Sequence, residues 1–415
     1  MDYVQNRLGG EKVLEIEALN AMLETKALEN FIRPINDLHE VENPAIRFRA
    51  LTPLNAQELY YVIIAGERDL YTSSYINGVY PAMMQKMGNR GDSLLESVGF
   101  DHFKKFIKIA AGYNMLPNFL SSFPEQDRAR VLMTAFVNGL DKSGSLEDGV
   151  DVADSYASIS EDIKPVADQM LENVKRNYED AVQSNNKKGM VIYDLLYKLF
   201  QSATDSTINL SKEFSIPPVY SVSYNALANG DTGRVVMQVF FYGDKDGQRN
   251  YQEFVPQFPS SLWKRSETKQ WVSFSSLKGK PILVFANKPL DEQSGEVDKA
   301  QAALCSYLSE KDLNPTIVVH RGHSYYAPYT IEQLAPTAKI VFLGSCGGYH
   351  LIHDVLSHAS DAHIIASKQI GKLVINQPFF DLLNDKLRNG NNIDWIPFWR
   401  EFRTRAGKTE GFDDY

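Results

Sequence analysis

The chain has 415 residues, 43% of them hydrophobic and 23% charged, with a formal net charge of −9. That length exceeds what one hydrophobic core supports, so more than one domain is expected. The acidic balance argues against nucleic acid as the main partner, because phosphate binding needs a basic surface, and no run of about 18 apolar residues offers a membrane-spanning helix.

Residues 1–205 read as an all-helical domain. In EKVLEIEALNAMLETK, Ile16, Leu19 and Leu23 share one stripe. In DIKPVADQMLENVKRNYEDAV the stripe is Val166, Met170, Val174, Tyr178 and Ala181, with Pro165 in the first turn, where proline is tolerated. Gly189–Phe200 is apolar on nearly every side and predicts a buried helix. A helical core explains these stripes without chemistry. The functional expectation for this half is a surface for a regulatory protein partner.

Residues 206–278 are rich in β-branched and aromatic side chains and read as a β-rich segment, either a small module or β additions to the next domain. GRVVMQVFFY and NYQEFVPQF flank GDKDGQ, which predicts a hairpin, and Lys269–Ser276 predicts another strand. Over 279–390 short apolar strands (PILVFAN, TIVVH, KIVFLG, HIIAS) alternate with helical stretches, the first marked by Val297, Ala300, Leu304, Tyr307 and Leu308. Continuous rather than alternating apolar strands predict an open, mostly parallel sheet covered by helices on both faces, an α/β fold. Residues 391–415 begin as an aromatic-rich helix and end as a polar tail.

Two strands of this region stop at reactive side chains, His323 in VVHRGHSYY and Cys346 in KIVFLGSCGGY. Such strand ends meet at the carboxyl edge of a parallel sheet, where ligands bind. An imidazole beside a thiol favours the thiolate, the nucleophilic form. His323 then serves as base and later as acid, and the backbone N–H groups of Ser324 and Cys346 face a developing oxyanion. Gly344, Gly347 and Gly348 leave the approach uncluttered.

These residues resemble the caspase-like cysteine peptidases, the group that includes caspases, metacaspases, gingipains, clostripain, separases and the CHAT domains. Arg321-Gly322-His323 is similar to the Ser-Gly-His of metacaspases, which implies His323 rather than His320 as the base. Ser345-Cys346-Gly347-Gly348 resembles the caspase string around the nucleophile. SDAHIIASKQIGKLVINQPFFDLL resembles the CHAT strand–loop–helix after the cysteine, which implies that Ser367, Lys368 and Gln369 line a substrate groove. The resemblance covers about residues 279–390 and implies a cysteine endopeptidase with a Cys-His dyad, acting on a peptide or protein without a cofactor. The alternative is a caspase-type interaction module without activity. The chain departs from the pattern in three places. Ser324 stands where the family has glycine. His323 and Cys346 are 23 residues apart, against about 50 in caspases. Gly344 stands where families that cleave after basic residues often carry an acid.

Other signals are weaker. Six of the eight histidines lie between His320 and His363, but without a HExxH or paired CxxC spacing no metal site is expected. The small-x-nucleophile-x-small string 344–348 also fits a hydrolase elbow, yet no histidine follows far downstream, as that arrangement requires. Lys142–Asp151 and Asp244–Gly247 lack the ligand order of a calcium loop and read as turns or a helix start. Two cysteines give no disulfide framework, and the first residues lack the basic-then-apolar shape of a signal peptide, so a reducing, cytoplasmic setting is expected.

Overall fold

The computed structural model describes residues 16–143, 147–205, 207–229 and 233–407. The start of the first helical stretch and the polar tail beyond 407 lie outside the described residues. The chain divides into two compact units, Met1–Phe214 and Ser215–Tyr415. The break falls after Phe214 rather than at 205, because the short helix Leu210–Phe214 still belongs to the first unit.

The first unit is helical. Helix Lys164–Gln183 buries Val166, Met170, Val174 and Ala181, as its stripe requires. Helix Lys187–Thr204 departs from expectation. It buries Ile192, Tyr193, Leu196 and Phe200, yet leaves Val191 69% and Leu195 43% exposed, so it is two-faced rather than enclosed. Leu23, expected in a core stripe, is exposed.

The second unit is α/β. Its strands are β1 (Ser221–Val222), β2 (Ala228–Asn229), β3 (Arg234–Phe241), β4 (Trp263–Glu267), β5 (Trp271–Ser276), β6 (Ile282–Asn287), β7 (Ile317–Arg321), β8 (Ile340–Leu343), β9 (His363–Ala366) and β10 (Ile393–Asp394). Its principal helices are α1 (Lys245–Phe254), α2 (Glu296–Glu310), α3 (Ala327–Glu332), α4 (Ile352–His358), α5 (Leu373–Arg388) and α6 (Trp395–Ala406). The sheet order is β4-β5-β6-β3-β7-β8-β9, with β2 antiparallel to β3, while β1 and β10 form a separate antiparallel pair. From β6 through β9 every pairing is parallel, and β4, β5 and β6 pair antiparallel. The β-rich segment is thus not a module of its own. Its strands complete the sheet of the next region.

The expected hairpin is absent. GDKDGQ starts helix α1, and the Asp244 side chain accepts a 2.6 Å hydrogen bond from the Gly247 N–H as its cap. Asp followed three residues later by glycine signals a turn and a helix start equally well. Both flanks of β3 are filled by parallel partners, β6 and β7, so NYQEFVPQF has no place as its antiparallel neighbour. Strand β4 is mostly exposed, with Lys264, Arg265 and Glu267 along it, charges that suit an edge and hide it from an apolar pattern.

Alternation of side chains splits the central strands between two layers. Val239, Ile317, Val319 and Phe342 pack with Phe379, Phe380, Phe398 and Phe402 of α5 and α6. Phe240, Val318, Val341 and Leu343 share the opposite core with Ile331 and Val355 of α3 and α4. The Phe379 ring lies 4.8 Å from Phe342, 5.2 Å from Phe398 and 5.6 Å from Phe402. Phe379→Ala is expected to cost about 3–5 kcal/mol of the stability of this unit, read as a lowered denaturant midpoint. A loss under about 1 kcal/mol would contradict this packing.

Candidate functional site

The last rung of β7 with β8 pairs His320 with Leu343. The Gly344 N–H then donates to the His320 carbonyl at 3.1 Å. His323 and Cys346 each lie three residues beyond that rung, so parallel register carries both to one edge of the sheet. It is the carboxyl edge, beside the point where the chain, having built β4, β5 and β6 on one side of β3, crosses to β7 on the other. Such switch points open the crevices in which α/β proteins bind ligands. A cavity of about 420 Å³ lined by Pro217, Pro218, His363, Trp395 and Trp399 lies instead at the amino end of β9, the opposite edge.

His323 is 24% exposed and packs flat on Tyr325, with ring centroids 5.1 Å apart. Its Nε2 stands 3.3 Å from Oδ2 of Asp246, in the first turn of α1 at the end of β3. Asp246 was not legible as a site residue. Its only signal was an acid just after a strand, and its partner is distant in sequence.

Cys346 is partly exposed. Burial pushes its thiol up; the backbone N–H of Gly371 and its own N–H pull it down, and the charge of Asp246 adds to the rise. The resting group is therefore a thiol that needs a base, not a standing thiolate. Asp246 faces the His323 ring, and its charge also reaches Cys346.

The loop after β9 holds the cysteine loop in place. The Gly347 N–H donates to the Gln369 carbonyl at 2.9 Å, and the Tyr349 N–H to the Ser367 carbonyl at 3.2 Å. Gly347 has φ +59°, a left-handed conformation that glycine adopts without strain and that lets the chain turn just after Cys346. A side chain at Gly371 would meet the Ser345–Cys346 peptide at 3.0 Å. Lys368 sits over the Tyr349 ring at 4.5 Å.

Two of the expected groove residues act otherwise. Ser367 is fully buried, and its Oγ accepts from the Gln369 N–H at 2.9 Å, so its side chain shapes the loop rather than a groove wall. Gly344 does not keep the approach open: a Cβ there would stand 2.9 Å from the His320 carbonyl and 2.7 Å from the Phe342 ring. Lys368 and Gln369 do stand beside the cysteine loop. Ser324 begins a single 3₁₀ turn, Ser324–Tyr326, whose first N–H groups the turn itself does not use.

Among the described residues no group of three or more His, Cys, Asp or Glu side chains is arranged to hold a metal ion, and no helix is long and apolar enough to cross a membrane. Comparison of the chain with protein-family models, curated proteins and solved structures finds no match to any of them.

His320, the neighbouring histidine, is fully buried, and that burial pushes its pKa down to about 4. The unfolded chain takes a proton at this position near pH 6.5, whereas the folded one stays neutral until about 4. The unfolded state thus binds more protons between those values. The stabilisation is complete above pH 6.5 and is lost as pH falls towards 4. His320→Gln is expected to remove up to about 3 kcal/mol of that acid-side loss. Denaturant midpoints of both proteins at pH 7 and pH 4.5 check it, and identical pH dependence would contradict a neutral buried imidazole.

Proposed function

We propose that the Ser215–Tyr415 unit is a cysteine endopeptidase of the caspase-like kind, with Cys346 as nucleophile and His323 as its base and acid. The observation that carries this reading is the common register: His323 and Cys346 each follow by three residues one rung of adjacent parallel strands. In the first half-reaction His323 takes the thiol proton while Sγ bonds to the scissile carbonyl carbon. The oxyanion forms beside the backbone N–H groups of Ser324 and Cys346. Collapse breaks the C–N bond, and the departing amine takes the proton from His323, leaving a thioester. Water, losing a proton to His323, then releases the acid and restores the thiol. No cofactor enters this cycle.

Asp246 selects the tautomer of the imidazole. A carboxylate at Nε2 favours the tautomer with the proton on that nitrogen and leaves Nδ1 as the base. The raised thiol matches this order of events, since proton removal accompanies attack rather than preceding it. The substrate would lie extended along the loop edges, a common mode of peptide recognition, with Lys368 and Gln369 beside it. A regulatory protein acting through the helical unit belongs to the same reading. The rival reading is a caspase-type interaction module without activity, favoured by the same burial and Asp246 charge, which oppose thiolate formation.

A peptidyl electrophile separates the two. Labelling at Cys346 is expected to vanish in Cys346→Ala and to slow by about 10²–10⁴-fold in His323→Ala. Asp246→Asn is expected to slow it by no more than about fivefold, because an exposed ion pair is worth at most about 1 kcal/mol. Wild-type labelling rates in His323→Ala would favour the inactive module.

A further inference from the structure

Behind His323 lies a closed set of buried polar groups drawn from three elements. Nε2 of His320 stands 3.1 Å from the His323 carbonyl oxygen, and Nδ1 stands 2.8 Å from Oγ1 of Thr330 in α3. Thr330 is buried, and its Oγ1 also meets the Tyr242 hydroxyl at 2.7 Å. Tyr242, just past the end of β3, reaches the Tyr326 carbonyl at 3.1 Å and stacks on the Tyr326 ring with centroids 4.3 Å apart.

The protons in this set follow from the groups themselves. A carbonyl oxygen only accepts, so His320 carries its proton on Nε2 and donates to His323. Burial keeps the ring neutral, so its Nδ1 accepts from the Thr330 hydroxyl, and the single Tyr242 proton lies between the Tyr326 carbonyl and Thr330 Oγ1. The groups whose charge reaches the ring are Arg321, on the other face of β7, and His323 when protonated.

The same cluster explains the glycine before His323. A Cβ at Gly322 would stand 2.5 Å from the Tyr242 ring and 3.3 Å from Cε1 of His320. The backbone entering His323 is thus pressed against the Tyr242 ring, and the carbonyl leaving it is hydrogen-bonded by His320. Two residues beyond Tyr242 comes the Asp244 cap of the helix that carries Asp246. One buried cluster therefore fixes the loops that bear both His323 and its carboxylate.

We infer that His320 is a positioning residue, which sets the direction of the His323 imidazole towards Cys346 by holding the His323 carbonyl. This rests on the peptidase reading above. It assigns work to a histidine that its complete burial keeps from any substrate.

The test is the pH dependence of Cys346 alkylation by iodoacetamide, followed by mass spectrometry of the Cys346 peptide in the full-length chain. His323→Ala is expected to move the midpoint up by about one pH unit, since a paired imidazole eases thiolate formation. His320→Phe should move it the same way by at least half as much while the protein still unfolds cooperatively. His320→Gln should return it towards wild type, because its amide N–H can still donate to the His323 carbonyl. If His323→Ala shifts the midpoint and a folded His320→Phe does not, His320 is core packing and the inference falls alone. If His323→Ala itself leaves the profile unchanged, the imidazole–thiol pairing falls and this inference with it. Should His320→Phe fail to fold, Thr330→Val removes only the hydroxyl that anchors Nδ1. An upward shift there supports the inference, and an unmoved profile in folded Thr330→Val overturns it.

Discussion

The parallel pairing of β7 with β8 is the constraint from which the site follows. Parallel strands run in one direction and end at one edge, so the turns that follow β7 and β8, and with them His323 and Cys346, leave the sheet on the same side. Both strands are completely buried, and close packing against a different core on each face resists slipping. A shift of one residue would turn His320 into the opposite core and send Arg321, now over the Phe380 ring at 5.6 Å, to the face of Tyr242. Register is thus enforced by polar groups as well as by apolar ones.

Around that edge the protein arranges restraint in layers. The loop after β9 is hydrogen-bonded to the cysteine turn through Gly347 and Tyr349. The buried set of His320, Thr330 and Tyr242 holds the histidine turn from below. The loop after β6 closes on the end of β3, where a Cβ on Gly243 would stand 2.2 Å from the Leu290 carbonyl, and Glu292 of that loop accepts from the Tyr326 hydroxyl. Groups so restrained need little reorganisation when charge develops, which is what nucleophilic catalysis asks of its surroundings. A resting thiol raised by burial and by Asp246 suits a nucleophile formed only when a base is in place.

The sheet was legible where strands are buried on both faces. Strands β6, β7 and β8 show as short apolar runs because most of their side chains enter a core on one face or the other, and the half-buried edge strand β9 shows through Ile364 and Ile365. Strand β4 was invisible, since an edge strand with one buried tryptophan and a row of charges has no such run. The segment after β3 was misread because Asp244 and Gly247 serve a helix cap as readily as a turn. His323 and Cys346 stood out because each ends an apolar run. Asp246 did not, because its meeting with His323 depends on β3 lying beside β7, a fact of strand order rather than of local pattern. The role of His320 was hidden for a similar reason: Thr330 and Tyr242 reach it from other elements, and a histidine inside a strand shows no sign of what its ring holds. Ser367 was expected in a groove from the CHAT-like string and Gly344 to keep the approach open, but the burial of Ser367 and the crowding around Gly344 give both to the loops instead.

The claim at the centre is that the His323 ring and the Cys346 sulfur share one crevice. The most direct measurement is an NMR titration of the His323 imidazole in the wild-type chain and in Cys346→Ala. If the two groups face each other, removing the sulfur moves the His323 titration curve. If the curve stays in place, the side chains do not meet and the catalytic reading is wrong.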